Sequence, residues 1–109
     1  MKRPIVGVIS NSYLVDDSYP VQLAGTSNLE ALYNVSKVFP VIFPGTPALS
    51  DTNEICENFD GILLTGARPN IHPEEYGEEE TLKHGQFDVR RDAVSLPLVR
   101  ACVEKGIPI

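Results

Sequence analysis

The residues most able to do chemistry follow an apolar run in the stretch DGILLTGARPN, residues 60–70. The run ends at Gly66, and Arg68 and the turn residue Pro69 come directly afterwards. A strand can end with many kinds of turn, so this combination predicts that the backbone after the strand is held in a fixed place. Such a backbone is well suited to meet a ligand.

A long segment without helical or strand periodicity continues from there, over residues 66–86. Loops longer than about 12 to 15 residues without secondary structure are uncommon in compact domains and are often functional. Pro69 and Pro73 stiffen this loop, and its polar residues include Asn70 and His72. The pattern predicts that polar groups of the loop meet a ligand in a fixed pose.

A metal site is not expected in this loop. His72 lies close to a run of acidic residues, Glu78, Glu79 and Glu80. Acidic runs of this kind are usually solvated surface. A single histidine beside carboxylates, without a preformed scaffold, is a poor metal site. We therefore predict no metal, and nothing in the sequence indicates a cofactor.

The two cysteines, Cys56 and Cys102, lie far apart and lack the spacing of zinc ligands or of a disulfide framework. Reactive thiolates usually lie at a strand-to-helix turn or a helix N-terminus, where backbone N–H groups lower the thiol pKa. Both cysteines instead fall late in predicted helices. We predict that both are buried structural thiols.

Composition limits the classes of partner. A chain of 109 residues suffices for one domain, and 42% hydrophobic residues fit a soluble globular protein. Nucleic acids and anionic membranes need a basic protein face, so the net charge of −6 disfavours both. No apolar run approaches the roughly 18 residues that span a bilayer. The N-terminus shows no signal-peptide cleavage site, so we expect a cytoplasmic protein.

Short apolar runs rich in β-branched residues predict three strands and the beginning of a fourth. They cover residues 4–10, 38–43, 61–65 and 107–109. Polar residues predict a loop over residues 11–20. Pro40 requires a position near the start of its strand or on an exposed side, because it cannot donate a ladder hydrogen bond.

Apolar residues at helical spacing predict a first helix that begins at about Ser27, as N-cap, or earlier near Val21. Asp51 or Thr52 is expected to cap a short second helix, which covers residues 52–59.

A third, longer helix is predicted over residues 87–105, with Asp88 as a candidate N-cap and Gly106 as C-cap. Pro97 should kink this helix or break it, because proline lacks the N–H and clashes with the preceding turn. The residues expected on one apolar face are Val89, Ala93, Leu96, Val99 and Val103.

Strands that alternate with helices predict an α/β fold with a parallel sheet and helices on both faces. In such sheets ligands bind outside the carboxyl ends of the strands. Residues 10–12, 44–45 and 65–67 occupy these ends. The segment that begins at Gly66 therefore lies at the expected ligand edge.

Two stretches, DGILLTGARPNIHPEEYGEE and FDVRRDAVSLPLVRACVEKGIPI, resemble the gamma-glutamyl-gamma-aminobutyrate hydrolase family of class I glutamine amidotransferase-like hydrolases. The resemblance implies a flavodoxin-like three-layer sandwich with a mostly parallel sheet. Residues 1–109 would be the N-terminal part of one such domain. It further implies a small-molecule gamma-glutamyl substrate and suggests a homodimer.

Members of this family cleave a gamma-glutamyl amide through a thioester, using a Cys-His-Glu triad. The family nucleophile follows the strand that residues 107–109 would begin, so it is expected beyond Ile109. Neither Cys56 nor Cys102 occupies the nucleophile position. The resemblance therefore implies that the 109-residue chain alone is inactive.

One catalytic element can be transferred by this resemblance: Gly66 corresponds to the glycine that lends a backbone N–H to the oxyanion hole. The alternative is that Gly66 only makes a tight turn with positive φ. The resemblance also marks Arg68 and Asn70 as substrate-binding residues. Arg68 could hold a glutamyl α-carboxylate through two hydrogen bonds, or it could be a solvated arginine tied to the acidic run. Arg91, with its neighbouring aspartates, is expected to cap and pair at the helix start.

Two other functions are compatible with an α/β fold of this type. A flavodoxin-type phosphate loop is disfavoured because no glycine follows the first strand before Gly25. A receiver-type signalling domain is disfavoured because the third strand closes with Thr65 and Gly66, not with aspartate. The remaining alternative is a non-catalytic flavodoxin-like module for binding or association.

Overall fold

The computed structural model describes residues 2–66, 70–82 and 85–109. The elements in chain order are β1 (Ile5–Ile9), β2 (Asn11–Val15), β3 (Tyr19–Leu23), α1 (Thr26–Asn34), β4 (Phe39–Phe43), α2 (Thr52–Asn58), β5 (Gly61–Leu63), a 3₁₀ turn (Pro73–Tyr76) and α3 (Val89–Lys105).

The centre of the molecule is a parallel sheet of three strands in the order β4-β1-β5. Its register places Ile9 opposite Phe43 on one side and Val8 opposite Leu63 on the other. Pro40 is tolerated because β4 forms the edge of this sheet. The predicted α/β class with a parallel sheet is confirmed, although β5 ends at Leu63, two residues earlier than predicted.

Residues 11–20, predicted to be a loop, instead form part of an antiparallel hairpin of β2 and β3. Asp16 and Asp17 turn the chain with positive φ angles of 50° and 56°. Ser18 N donates to Val15 O at 3.0 Å, which closes the turn. Aspartate is among the few residues that adopt this backbone region readily. The prediction failed because most hairpin side chains are exposed, so no apolar alternation marks the strands.

The helix caps agree only in part with the prediction. Helix α1 begins at Thr26 with Gly25 as N-cap and has no side-chain cap, so the cap predicted at Ser27 is wrong. Asp51 caps α2 by accepting a hydrogen bond from Glu54 N. Asp88 caps α3 at its start, as predicted.

Of the kink or break predicted at Pro97, the break does not occur, because α3 runs as one helix through this residue. Val94 on one side of Pro97 and Leu98 on the other are both buried. This packing holds the helix together where the backbone hydrogen bond is lost. Gly106 ends α3 with a φ of 71°, so the predicted C-cap is confirmed.

The hydrophobic core lies between the sheet and helices α2 and α3. Its buried members are Ile9, Phe43, Ile55, Cys56, Ile62, Val94, Leu98 and Cys102. On α3 the buried stripe is therefore Val94, Leu98 and Cys102, and the predicted apolar face is wrong. Both stripes are apolar in sequence, and only the docking of the helix on α2 and the sheet selects between them.

The strand order places β4 and β5 on opposite sides of β1. Crossovers of the usual right hand, running in opposite directions, would put α1 and α2 on opposite faces of the sheet. After α3, Pro108 O accepts a hydrogen bond from Ile62 N at 2.9 Å, so the last residues run beside β5 as a fourth strand would. None of the helices in the described ranges has the length and apolar character needed to cross a membrane.

Candidate active site

The carboxyl ends of β1 and β4 are joined by a buried polar contact. Ser10 is fully buried, and its Oγ donates to Gln22 Oε1 at 2.6 Å and accepts from Gly45 N at 2.9 Å. Gly45 has no room for a side chain, since a Cβ there would collide with the carbonyl oxygen of Ser10. The space between the carboxyl ends of β1 and β4 is therefore filled by these residues. Gln22 was missed by the sequence analysis because the hairpin that carries it was read as loop and helix.

Gly66, at the carboxyl end of the β5 segment, is exposed and open. Its φ lies outside the left-handed region, so the alternative of a turn with positive φ is wrong. No described residue lies within 4 Å of the position that a Cβ would occupy. Neither backbone strain nor packing within the described chain requires glycine at this position. None of the described residues fills the space beside this backbone.

Arg91 reaches from the first turn of α3 to the residue before Gly66. Its Nη2 donates to Thr65 O at 2.5 Å and lies 3.3 Å from Thr65 Oγ1. Burial lowers the pKa of the guanidinium, while Asp88 and Asp92 oppose this change. Arg91 therefore binds the backbone next to Gly66, a contact that the sequence prediction of pairing at the helix start did not include.

Two buried aspartates connect the same helical turn to other parts of the chain. Asp88 accepts hydrogen bonds from Arg91 N at 3.0 Å and from Ser12 N at 3.1 Å. Asp92 accepts from His72 N at 3.1 Å. The first turn of α3 therefore contacts three other segments. Asp88 binds the segment after β1, Arg91 binds the segment after β5, and Asp92 binds the long loop. The prediction that these aspartates serve the helix start is confirmed for Asp88 and incomplete for Asp92.

Asn70 and the α3 turn line a small cavity. Asn70 N donates to Gln86 O at 2.7 Å and thereby closes the long loop at its base. Thr65, Asn70, Asp88 and Arg91 contribute to a cavity of about 150 Å³. Typical ligand pockets measure roughly 300–1,000 Å³, so this cavity corresponds to part of a substrate site at most. Arg68 lies outside the described residues.

His72 serves the loop structure. Its ring lies 4.5 Å from that of Phe87, measured between centroids, and its Nδ1 accepts a hydrogen bond from Glu74 N at 3.3 Å. Its Nε2 is 3.9 Å from a carboxylate oxygen of Glu80. Among the described residues, no group of three or more histidine, cysteine or acidic side chains could hold a metal ion.

The two cysteines are buried between α2 and α3, as predicted. Burial first, and then the neighbouring Cys56, raise the pKa of Cys102 to about 11. A thiol with this pKa is almost entirely protonated at neutral pH, and a nucleophile must be a thiolate. Cys102 is therefore a structural residue.

Comparison of the sequence with known proteins shows which family this chain belongs to. The sequence profile of the Peptidase C26 family matches residues 4–109. A gamma-glutamyl-gamma-aminobutyrate hydrolase of Escherichia coli O157:H7 is 28% identical over 112 residues. The corresponding hydrolases of Escherichia coli K12 and Shigella sonnei are each 27% identical over 112 residues. Each alignment covers all of this chain and 42% of the relative. The chain belongs to the Peptidase C26 family of hydrolases, with the class I glutamine amidotransferase-like fold.

Proposed function

We propose that this chain is the N-terminal part of a hydrolase of gamma-glutamyl amide bonds, of the gamma-glutamyl-gamma-aminobutyrate type. Family membership and the names of the relatives support this substrate class. The chain spans 42% of those relatives' length. In this proposal residues 1–109 form the N-terminal part of a single class I glutamine amidotransferase-like domain.

In the proposed reaction a cysteine thiolate attacks the carbonyl carbon of the gamma-glutamyl amide. The amine leaves with a proton, and water then cleaves the thioester to release glutamate and regenerate the thiol. We place this cysteine beyond Ile109, because Cys56 and Cys102 are buried in the core. Histidine and glutamate partners would also lie outside residues 1–109.

The observation that carries the proposal is the open backbone of Gly66 at the carboxyl edge of the sheet. The attack creates a negatively charged oxygen, which needs N–H donors about 3 Å away. The N–H of Gly66 is our candidate for one of them, and such a donor typically contributes about 3 to 4 kcal/mol of transition-state stabilisation. A side chain here would occupy the space that the substrate needs.

Substrate binding is assigned to the loop after Gly66. Asn70 lies on the wall of the cavity beside Thr65, which supports a contact with substrate. Arg68 is proposed to bind the glutamyl α-carboxylate through two parallel hydrogen bonds, since guanidinium and carboxylate match in geometry. We propose a small-molecule substrate and no nucleic acid or membrane partner, and the net charge of −6 supports this choice. A homodimer and a cytoplasmic location remain predictions.

A non-catalytic association module is the second candidate function. The hairpin favours it, because Tyr13 is 58% exposed and Tyr19 is 67% exposed. Exposed aromatic side chains are common at protein interfaces. In this case the protein would bind a partner through the hairpin and would not turn over gamma-glutamyl amides.

An activity assay separates the two candidates. The protein expressed from its complete coding sequence and the isolated 109-residue chain are each tested for glutamate release from gamma-glutamyl-gamma-aminobutyrate. We expect turnover by the first, abolished by a thiol-alkylating reagent, and none by the second. Turnover by the isolated chain would contradict the position of the nucleophile. A folded complete protein without gamma-glutamyl hydrolase activity would favour the association module.

A further inference from the structure

We propose that Arg91 is a positioning residue, which fixes the Thr65–Gly66 peptide so that the Gly66 N–H points at the developing oxyanion. This inference rests on the proposed role of Gly66. It adds a second residue to the oxyanion hole, one that acts through the backbone without touching the substrate.

The geometry of one peptide unit carries the argument. The carbonyl of Thr65 and the N–H of Gly66 belong to the same planar group, and the described chain has no cis peptide bonds. In a trans peptide the oxygen and the hydrogen point in opposite directions. Arg91 Nη2 holds the Thr65 oxygen at 2.5 Å. A bond that fixes the oxygen therefore fixes the N–H on the opposite side, away from Arg91.

The threonine side chain strengthens this control. Arg91 Nη2 also lies 3.3 Å from Thr65 Oγ1, so the same nitrogen contacts both the backbone and the side chain of one residue. Rotation of the peptide about its flanking bonds would lengthen the first contact while the second holds the residue in place. This matters because Gly66, with no side chain to pack, cannot fix its own orientation.

The backbone of Arg91 is anchored at the start of α3. Its backbone N–H donates to the Asp88 side chain at 3.0 Å, within the first turn of α3. Asp88 also binds Ser12 N, which ties the helix start to the segment after β1. The arginine thus extends from a fixed helix end to the end of a neighbouring strand. Groups that contribute to a transition state must be held within roughly 0.5 Å of their productive position, and this arrangement supplies such support.

The guanidinium charge provides a second effect. A positive group on the carbonyl oxygen of Thr65 draws electron density from the peptide and makes its N–H a stronger donor, as in chains of hydrogen bonds that polarise one another. The two nearby carboxylates, Asp88 and Asp92, favour the charged form of Arg91. A neutral side chain at position 91 would supply less of this polarisation, even if it could still donate a hydrogen bond.

The test compares Arg91→Ala with Arg90→Ala in the protein expressed from its complete coding sequence. Arg90 is the adjacent, exposed arginine on the same helix, so it controls for loss of charge. We expect Arg91→Ala to lower kcat about 10- to 100-fold with KM changed less than about threefold, because the lost stabilisation belongs to the transition state. Arg90→Ala should leave both constants unchanged. An unchanged kcat in folded Arg91→Ala, or a rise in KM alone, would overturn the proposal.

A spectroscopic measurement tests the same inference without turnover. The amide resonance of Gly66 should shift in Arg91→Ala and stay in place in Arg90→Ala, because only Arg91 binds the Thr65–Gly66 peptide. If Arg91→Ala does not fold, Thr65→Val and Arg91→Lys replace it. The valine variant removes only the 3.3 Å contact and should keep at least a third of kcat, whereas Arg91→Lys should lose more. The reverse order would overturn the proposal.

The two proposals fail in distinguishable ways. A folded wild-type protein without gamma-glutamyl hydrolase activity refutes the proposed function, and with it the catalytic part of this inference. Activity in the wild type, with equal kcat in Arg91→Ala, refutes the role of Arg91 alone. A Gly66 resonance that does not respond to Arg91→Ala refutes the anchoring in either case.

Discussion

Asp88 joins two parts of the chain that lie 76 residues apart, because its carboxylate accepts the backbone N–H of Ser12 at 3.1 Å while it caps α3. One buried side chain thus fixes both the start of the helix and the segment after the central strand. The arginine that contacts Thr65 is carried on the same turn. Stability and the geometry of the candidate site therefore depend on the same few residues.

The first prediction concerns the two hydrogen bonds of Asp88, to Ser12 N and to the start of α3. Asp88→Ala should lower the free energy of unfolding by about 2 to 3 kcal/mol, because it removes an N-cap and leaves a partly buried N–H at Ser12 unpaired. The control is Asp51→Ala, which removes the exposed cap of α2 and should cost only about 1 kcal/mol. Urea denaturation measures both. Equal losses would show that the Ser12 contact contributes nothing.

The second prediction uses two glycines with opposite surroundings. Gly45→Ala should destabilise the fold by about 1 to 3 kcal/mol, since the added Cβ meets the backbone of Ser10. Gly66→Ala should change the free energy of unfolding by no more than about 0.5 kcal/mol, because no described residue lies within 4 Å of the added methyl group. A strongly destabilised Gly66→Ala variant would contradict the open site described here.

The third prediction tests the N–H of Gly66 as an oxyanion donor. If the proposed hydrolase function holds, Gly66→Pro, which removes the N–H, should lower kcat about 100- to 1,000-fold in the protein expressed from its complete coding sequence, with a much smaller rise in KM. Gly66→Ala keeps the N–H and serves as the matched control for altered shape. Steady-state kinetics on gamma-glutamyl-gamma-aminobutyrate provide the measurement. A kcat unaffected by proline would exclude Gly66 from the oxyanion hole.

The fourth prediction follows from the raised pKa of Cys102. The thiol pKa rises from its ordinary value of 9.0 to about 11 in the folded chain, because burial disfavours the thiolate. The native state therefore holds a proton that the unfolded state releases between these values. The free energy that the protonated Cys102 thiol contributes to folding is fully present below pH 9 and is lost as the pH rises towards about 11. In urea unfolding, the free energy of unfolding of the wild type should fall across this pH range by an amount that Cys102→Ala does not show. The same slope in both proteins would contradict it.

The fifth prediction tests which stripe of α3 is buried. Leu98 is fully buried, so Leu98→Ala should lower the free energy of unfolding by about 2 to 5 kcal/mol. Val103, on the apolar face predicted from sequence, is 70% exposed. Val103→Ala should therefore cost no more than about 0.5 kcal/mol. Thermal or urea unfolding of the two variants gives the comparison, and similar losses would contradict the observed docking of α3.

The sequence by itself determined the elements that depend on local chemistry. Short β-branched runs specify the strands of the parallel sheet, and capping residues such as Asp51, Asp88 and Gly106 specify where helices begin or end. These features are readable because each depends on the conformational preference of one residue and its near neighbours. The alternation of strands and helices then determined the α/β class and predicted that Gly66 lies at the edge where ligands are expected.

Tertiary structure alone decided the contacts between distant segments. The burial of Leu98 in place of Val103 depends on how α3 docks, since both stripes are apolar in sequence. The hairpin of β2 and β3 escaped prediction because its side chains are largely exposed and carry no alternating pattern. The hydrogen bond from Arg91 to Thr65 spans 26 residues of sequence and exists only once the sheet and helix have assembled. Local preferences contain no information about which surfaces meet. The contact of Arg91 with the residue before Gly66 is therefore visible only in the folded chain.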